Sequence, residues 1–216
     1  MITLSSLRKY DVQKMHKFYD QWPQIASESY HTKVDKIRLD GIDHIVFAGM
    51  GGSGSIGDVF SSILSKTNIH VSIVKGYLLP KTVDSKTLVV VTSVSGNTDE
   101  SISILKDTKK IRTNAIAFSS GGKIEKFCNK NQIEHRNIQQ IHSPRASFSS
   151  FLYSMLSVLQ PLLPIKSSDI TESIKHLQKL GKNISSDNLN SDNKALELAE
   201  WITGIPITYY PWGLNA

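Results

Sequence analysis

Cysteine is almost missing from this sequence: Cys128 is the one example in 216 residues. A lone thiol forms no internal disulfide, which excludes the disulfide-stapled secreted scaffolds and suits a reducing, cytoplasmic setting. Long hydrophobic runs are missing too. The greasiest stretch, Phe151 to Ile165, is interrupted by Ser, Gln and Pro and is too short to span a bilayer, and the opening MITLSSLRKYDVQKMHKFYDQW has no apolar signal core, so no membrane partner is expected. Charge lacks a strong bias, with 25 Lys+Arg against 19 Asp+Glu for a net +6. The densest basic group, Lys106, Lys109, Lys110 and Arg112, falls where a helix should end, so complementing its dipole explains it. No basic stripe interleaves with aromatics, and no nucleic-acid partner is expected. The seven histidines (His16, His31, His44, His70, His135, His142 and His176) form no metal-like cluster. No metal and no cofactor are expected, and no histidine is assigned a catalytic role, His142 being the nearest to a candidate.

What is present is enough apolar material, 39% of residues, for one domain with appendages; two full domains would be tight. The organising stretch is LVVVTSVSGNTDE from Leu88 to Glu100. Leu88 to Val91 reads as a strand buried on both faces. Ser93, Ser95, Gly96 and Thr98 follow, and Asn97 or Thr98 is placed to cap a helix whose first turn holds Asp99 and Glu100. Backbone amides at a helix start, a glycine that lets an anion approach and neutral hydroxyl donors together suit a phosphate. The same residues also suit an ordinary capped strand-to-helix turn.

Met15, Phe18, Tyr19 and Trp22 recur at helical spacing before Pro23, which predicts an amphipathic helical arm over 1–40. Trp22 and Tyr30 read as packing aromatics. A domain over 41–165 follows. His44 to Ala48 is a first strand, and its helix carries Ile56, Val59, Phe60, Ile63 and Leu64 on one face. Ile69 to Val74, Leu88 to Thr92, Ala115 to Phe118 and the more polar Ile133 to Ile138 are further strands, the last suited to a sheet edge. Strands alternating with helices imply an α/β fold, a three-layer α-β-α sandwich on a roughly five-stranded parallel, doubly wound sheet. Ligands in such sheets sit at the carboxyl ends of strands, where the loops at 49–54, 93–98 and 119–122 lie, all rich in Gly or Ser.

Gly49, Gly51 and Gly54 also satisfy G-x-G-x-x-G. A dinucleotide site wants Asp or Glu at the end of the second strand, and this strand ends in Lys75 and Gly76. A nicotinamide-dependent oxidoreductase therefore stays a distant alternative, with Lys75 available to a 2′-phosphate.

Five motifs in order, GMGGSG from Gly49, YLLP from Tyr77, SVSGNTDE from Ser93, SSGG from Ser119 and PRA from Pro144, resemble the first half of the bifunctional phosphoglucose/phosphomannose isomerases. That family belongs to the SIS (sugar isomerase) superfamily. The resemblance implies a hexose 6-phosphate ligand held by Gly52, Ser53, Ser93, Ser95, Gly96 and Thr98. It also implies an arginine, Arg145, that binds substrate and stabilises the enediolate of an aldose–ketose isomerisation. Read by itself, Arg145 is better taken as an exposed ion-pairing residue, and the resemblance reverses that reading. Val94, where the family usually has tyrosine, and the FSS at Phe148 are departures.

The resemblance places the catalytic base in a second SIS domain, so the base is expected beyond Ala216, the last residue of the sequence. After a linker with helices over 166–203, Ile205 to Tyr210 resembles that domain's first strand, and 204–216 reads as its stub. The expectation is a truncated chain or fragment: a phosphosugar-binding half without its base, partnered by a second copy or by a C-terminal half. A non-catalytic SIS module that binds phosphosugar is the alternative.

Overall fold

A computed structural model describes residues 2–204. Its centre is a five-stranded, wholly parallel sheet in the order β2-β1-β3-β4-β5. The strands are β1 (His44–Ala48), β2 (His70–Val74), β3 (Thr87–Ser93), β4 (Asn114–Ser119) and β5 (Glu134–Asn137). All seven residues of β3 are buried, as its valine run requires of a central strand covered on both faces. The polar β5 stands at an edge, where half-exposed side chains cost little.

The pleat's period of two divides the strands between two cores. On one face Ile45, Phe47, Leu88, Val90, Ile116 and Phe118 pack with Ile56, Phe60 and Leu64 of α4 (Gly52–Leu64) and with Phe151 and Met155 of α7 (Phe148–Leu159). On the other, Val46, Val89, Val91 and Ala117 meet Ile104 and Leu105 of α5 (Asp99–Ile111) and Ile124 and Cys128 of α6 (Gly122–Asn131). Burying each large side chain of this kind contributes about 1.5–3 kcal/mol. Burial also pushes the Cys128 thiol up to about 11, so it is a packing residue.

The amino-terminal arm is helical in three pieces. It is built as α1 (Leu4–Tyr10), α2 (Met15–Asp20) and α3 (Trp22–His31). Pro23 opens α3 instead of closing a helix, because the first turn has no intrahelical use for the missing N–H. Met15, Phe18 and Trp22 are half-buried, whereas Tyr19 is exposed. α3 buries Ile25 and Ala26 against α7 and α8 (Ser167–Ile184), and α9 (Lys194–Trp201) follows. No helix among the described residues is long and apolar enough to cross a membrane. Two expectations fall outside the described residues: the stretch Ile205 to Tyr210, read as the opening strand of a second domain, and Ala216, beyond which the catalytic base is expected.

Candidate functional site

From β1 the chain crosses through α4 to β2 on one side; from β3 it crosses through α5 to β4 on the other. Neighbouring strands whose connections diverge leave a crevice beyond their carboxyl ends. The Gly49–Ser53 and Ser93–Thr98 loops flank it. Gly49 is wedged between its own loop and β3: a Cβ on it would stand 2.9 Å from the Ser53 carbonyl carbon and 3.0 Å from the Thr92 carbonyl oxygen.

The loop after β3 is drawn into a tight turn in which the Gly96 amide donates to the Ser93 carbonyl at 3.1 Å. Gly96 takes φ +66°, and a Cβ there would lie 1.9 Å from the Gly121 carbonyl oxygen. Glycine is the residue that fits both the conformation and the contact. α6 spends its first amides on this loop: Ile124 N–H donates to the Gly96 carbonyl at 2.9 Å and Lys123 N–H to Asn97 Oδ1 at 3.2 Å.

Thr98 is the N-cap of α5, but its hydroxyl makes no capping bond. Its Oγ1 lies 2.8 Å from Oγ of the buried Ser93, and Asn97 is engaged by Lys123 and by the Ser95 carbonyl. The side-chain cap expected from Asn97 or Thr98 is therefore absent. Among the described residues, nothing accepts from the amides of Asp99, Glu100 and Ser101. Three free donors at the positive end of a helix, beside paired hydroxyls, are suited to an anion.

Ser93, Ser95, Gly96 and Thr98 thus share one loop, with Ser95 exposed and its Oγ accepting from the Asn97 amide at 3.3 Å. Gly52 and Ser53 open α4 across the switch point, where open space surrounds Gly52. Arg145 sits in the connection between β5 and α7. Its side chain is exposed, and among the described residues it forms no ion pair and no side-chain hydrogen bond. Lys75, the residue reserved for a 2′-phosphate, pairs with Asp58 at 2.7 Å.

Residues 39–163 match the family model described as the SIS domain. The chain belongs to the SIS domain family. It is 34% identical over 178 residues to a bifunctional phosphoglucose/phosphomannose isomerase of Caldicellulosiruptor bescii, covering 80% of this chain and 52% of the relative. A protein of the same name from Thermoplasma volcanium is 31% identical over 191 residues, with 85% and 58% covered. The chain spans about half the length of the curated relatives it matches. The fold is similar to that of tagatose-6-phosphate ketose/aldose isomerase from Escherichia coli, at a TM-score of 0.57 and 15% identity over 94% of this chain and 58% of that one.

Within the SIS domain, Ser119 and His135 were not among the expected site residues, yet they meet. The buried Ser119 Oγ lies 3.0 Å from the Gly121 carbonyl, 3.2 Å from the Gly121 amide and 2.8 Å from His135 Nε2. It holds the loop against which Gly96 presses. Burial pushes the His135 ring below its ordinary value, against the pull of Glu125. The SSGG motif pointed to Ser119; nothing local marks His135, which reaches it through the pairing of β4 with β5. Val94 turns into the core at 5% exposure, so the position where the resemblance expects tyrosine does not wall the crevice. The serines of the other departure are also spoken for: Ser149 Oγ donates to the Trp22 carbonyl and Ser150 Oγ to the Ser147 carbonyl.

Proposed function

We propose that the crevice between β1 and β3 binds the phosphate of a hexose 6-phosphate, and that this chain is the substrate-binding half of a cytoplasmic aldose–ketose isomerase. The reaction class is glucose 6-phosphate or mannose 6-phosphate to fructose 6-phosphate, with no cofactor. The amino terminus of α5 carries the reading: free amides, Ser93 and Thr98 hydroxyls at 2.8 Å and a glycine turn form a cradle needing no lysine. The names of the relatives support the sugar phosphate as its occupant.

Isomerisation also requires a positioned base to take a carbon-bound proton, a contribution of about 10² to 10⁴ in rate. The nearby carboxylates are engaged. Asp99 pairs with Lys123 at 3.5 Å, Glu100 interacts with Tyr77 and holds its phenol above the ordinary value, and Glu125 faces Gly121 and His135. On this reading the chain binds by itself without turnover, the base being supplied by a second SIS domain.

Calorimetry with fructose 6-phosphate tests the site. Ser93→Ala plus Ser95→Ala should weaken binding at least tenfold, since each hydrogen bond to a charged group is worth about 1.5–3 kcal/mol. Unchanged affinity removes this loop from the site, and NADH binding more tightly than the sugar phosphate favours the dinucleotide alternative. In a coupled assay for glucose 6-phosphate, turnover by residues 1–216 that Arg145→Ala abolishes would show that the base has been misplaced.

A further inference from the structure

The amino-terminal arm reaches past the core to grip the segment around Arg145. Trp22 Nε1–H donates at 2.8 Å to the carbonyl of Ala146, the residue after the arginine and 124 positions away in sequence. The Trp22 carbonyl accepts from Ser149 Oγ at 3.1 Å, and its ring stacks on Phe148 at 6.1 Å. Before the arginine, Phe18 lies 4.7 Å from the ring of His142, and Met15 Sδ accepts from Ser143 Oγ at 3.7 Å. His142 has φ +54° and a buried Nδ1 without a partner among the described residues, so Phe18 presses on a strained point of the chain.

The arm thus touches both flanks of Arg145 and leaves the guanidinium free. That combination, a fixed backbone beneath an uncommitted side chain, is what a group aimed at a ligand needs, because freedom lost before binding is not lost on binding. A helix that merely covered α7 would bury apolar surface without gathering contacts on either side of one exposed arginine.

We propose that Trp22, assisted by Phe18, is a positioning residue for Arg145: the arm sets how firmly the arginine meets the sugar while the strand-end loops hold the phosphate. The ligand part rests on the function proposed above; the brace itself does not. Trp22→Phe keeps an aromatic ring against Phe148 and removes the indole donor. It should weaken fructose 6-phosphate binding about fivefold, the worth of one hydrogen bond, and leave inorganic phosphate binding unchanged. In an Arg145→Ala background the same substitution should have no further effect. An equal loss with and without Arg145, or an equal loss for inorganic phosphate, overturns the proposal.

Hydrogen exchange without ligand decides the case in which the wild-type chain binds no sugar phosphate. That result sinks the proposed function, yet Trp22→Phe should still speed exchange of the Ile141, Ala146 and Phe148 amides about fivefold, with Val89 to Val91 unchanged. Unchanged exchange at 141–148 overturns the brace. Ser149→Ala, which removes the hydroxyl bond to the Trp22 carbonyl and keeps the indole, should act in the same direction and guards against a folding defect in the first variant.

Discussion

The loops that leave β1, β3 and β4 press backbone on backbone, whereas the loop that leaves β5 and carries Arg145 is gathered by the Ser147 hydroxyl and gripped by side chains from the far end of the sequence. In the first group, Gly49 lies tightly against the Thr92 carbonyl, and Gly96 lies against Gly121 at a separation no side chain tolerates. In the second, the Ser147 hydroxyl gathers the turn, accepting from the Ile141 amide at 2.8 Å and lying within bonding distance of the Ile141 and Ser143 carbonyls, while Trp22 and Phe18 press from outside. Backbone wedged on backbone leaves almost no adjustment, which suits an anion of fixed shape. Side chains resting on a loop can be altered one at a time, which suits the role proposed for Arg145 above.

The contrast breaks most severely at Gly96. Gly96→Ala sets a methyl 1.9 Å from the Gly121 oxygen and should destabilise the domain by about 3 kcal/mol or more in urea unfolding. Gly41 has a similar φ, +71°, with nothing within 4 Å of the added Cβ; Gly41→Ala should cost only about 1–2 kcal/mol, the conformational part. Equal losses at the two glycines would mean that the loops are not jammed together.

Ser147→Ala probes the other kind of loop. It leaves the Ile141 amide without its acceptor and should cost about 1–3 kcal/mol, with inorganic phosphate binding intact. A parallel loss of phosphate affinity would show that the two regions act as one.

A smaller effect comes with pH. Burial lowers the proton affinity of His135 and of His44, the latter also through His70, so below pH about 6.5 the unfolded chain takes up protons that the folded chain refuses. Stability should be full above that value, fall as the pH is lowered from it, and level off once the buried rings are charged. His135→Gln should flatten this slope in unfolding measured from pH 7.5 to 5, and an unaltered slope would remove His135 from the account.

Much of the fold is legible in the residues. The valine run of β3, the polar edge of β5 and the helical periodicities follow from the 2.0 and 3.6 repeats of strand and helix. Within the candidate site, the glycine and hydroxyl loops were legible as well. The breaks that divide the arm were not legible, and Pro23 sits in the first turn of α3, where a proline is tolerated. Thr98 stands at the expected N-cap position; only its hydroxyl's partner was not legible, because the nearness of Ser93, not local preference, selects it.

Composition and order along the chain by themselves determined that strands and helices alternate, that phosphate-suited loops follow three of the strands, and that the motifs resemble those of sugar-phosphate isomerases. Tertiary structure decided the rest: that β1 and β3 are neighbours at the switch point, that Gly96 lies on Gly121, and that Trp22 reaches Ala146. Each is a contact between residues distant in sequence, fixed by strand register and by the packing of whole faces, and a local pattern of residue types carries no record of which faces will meet.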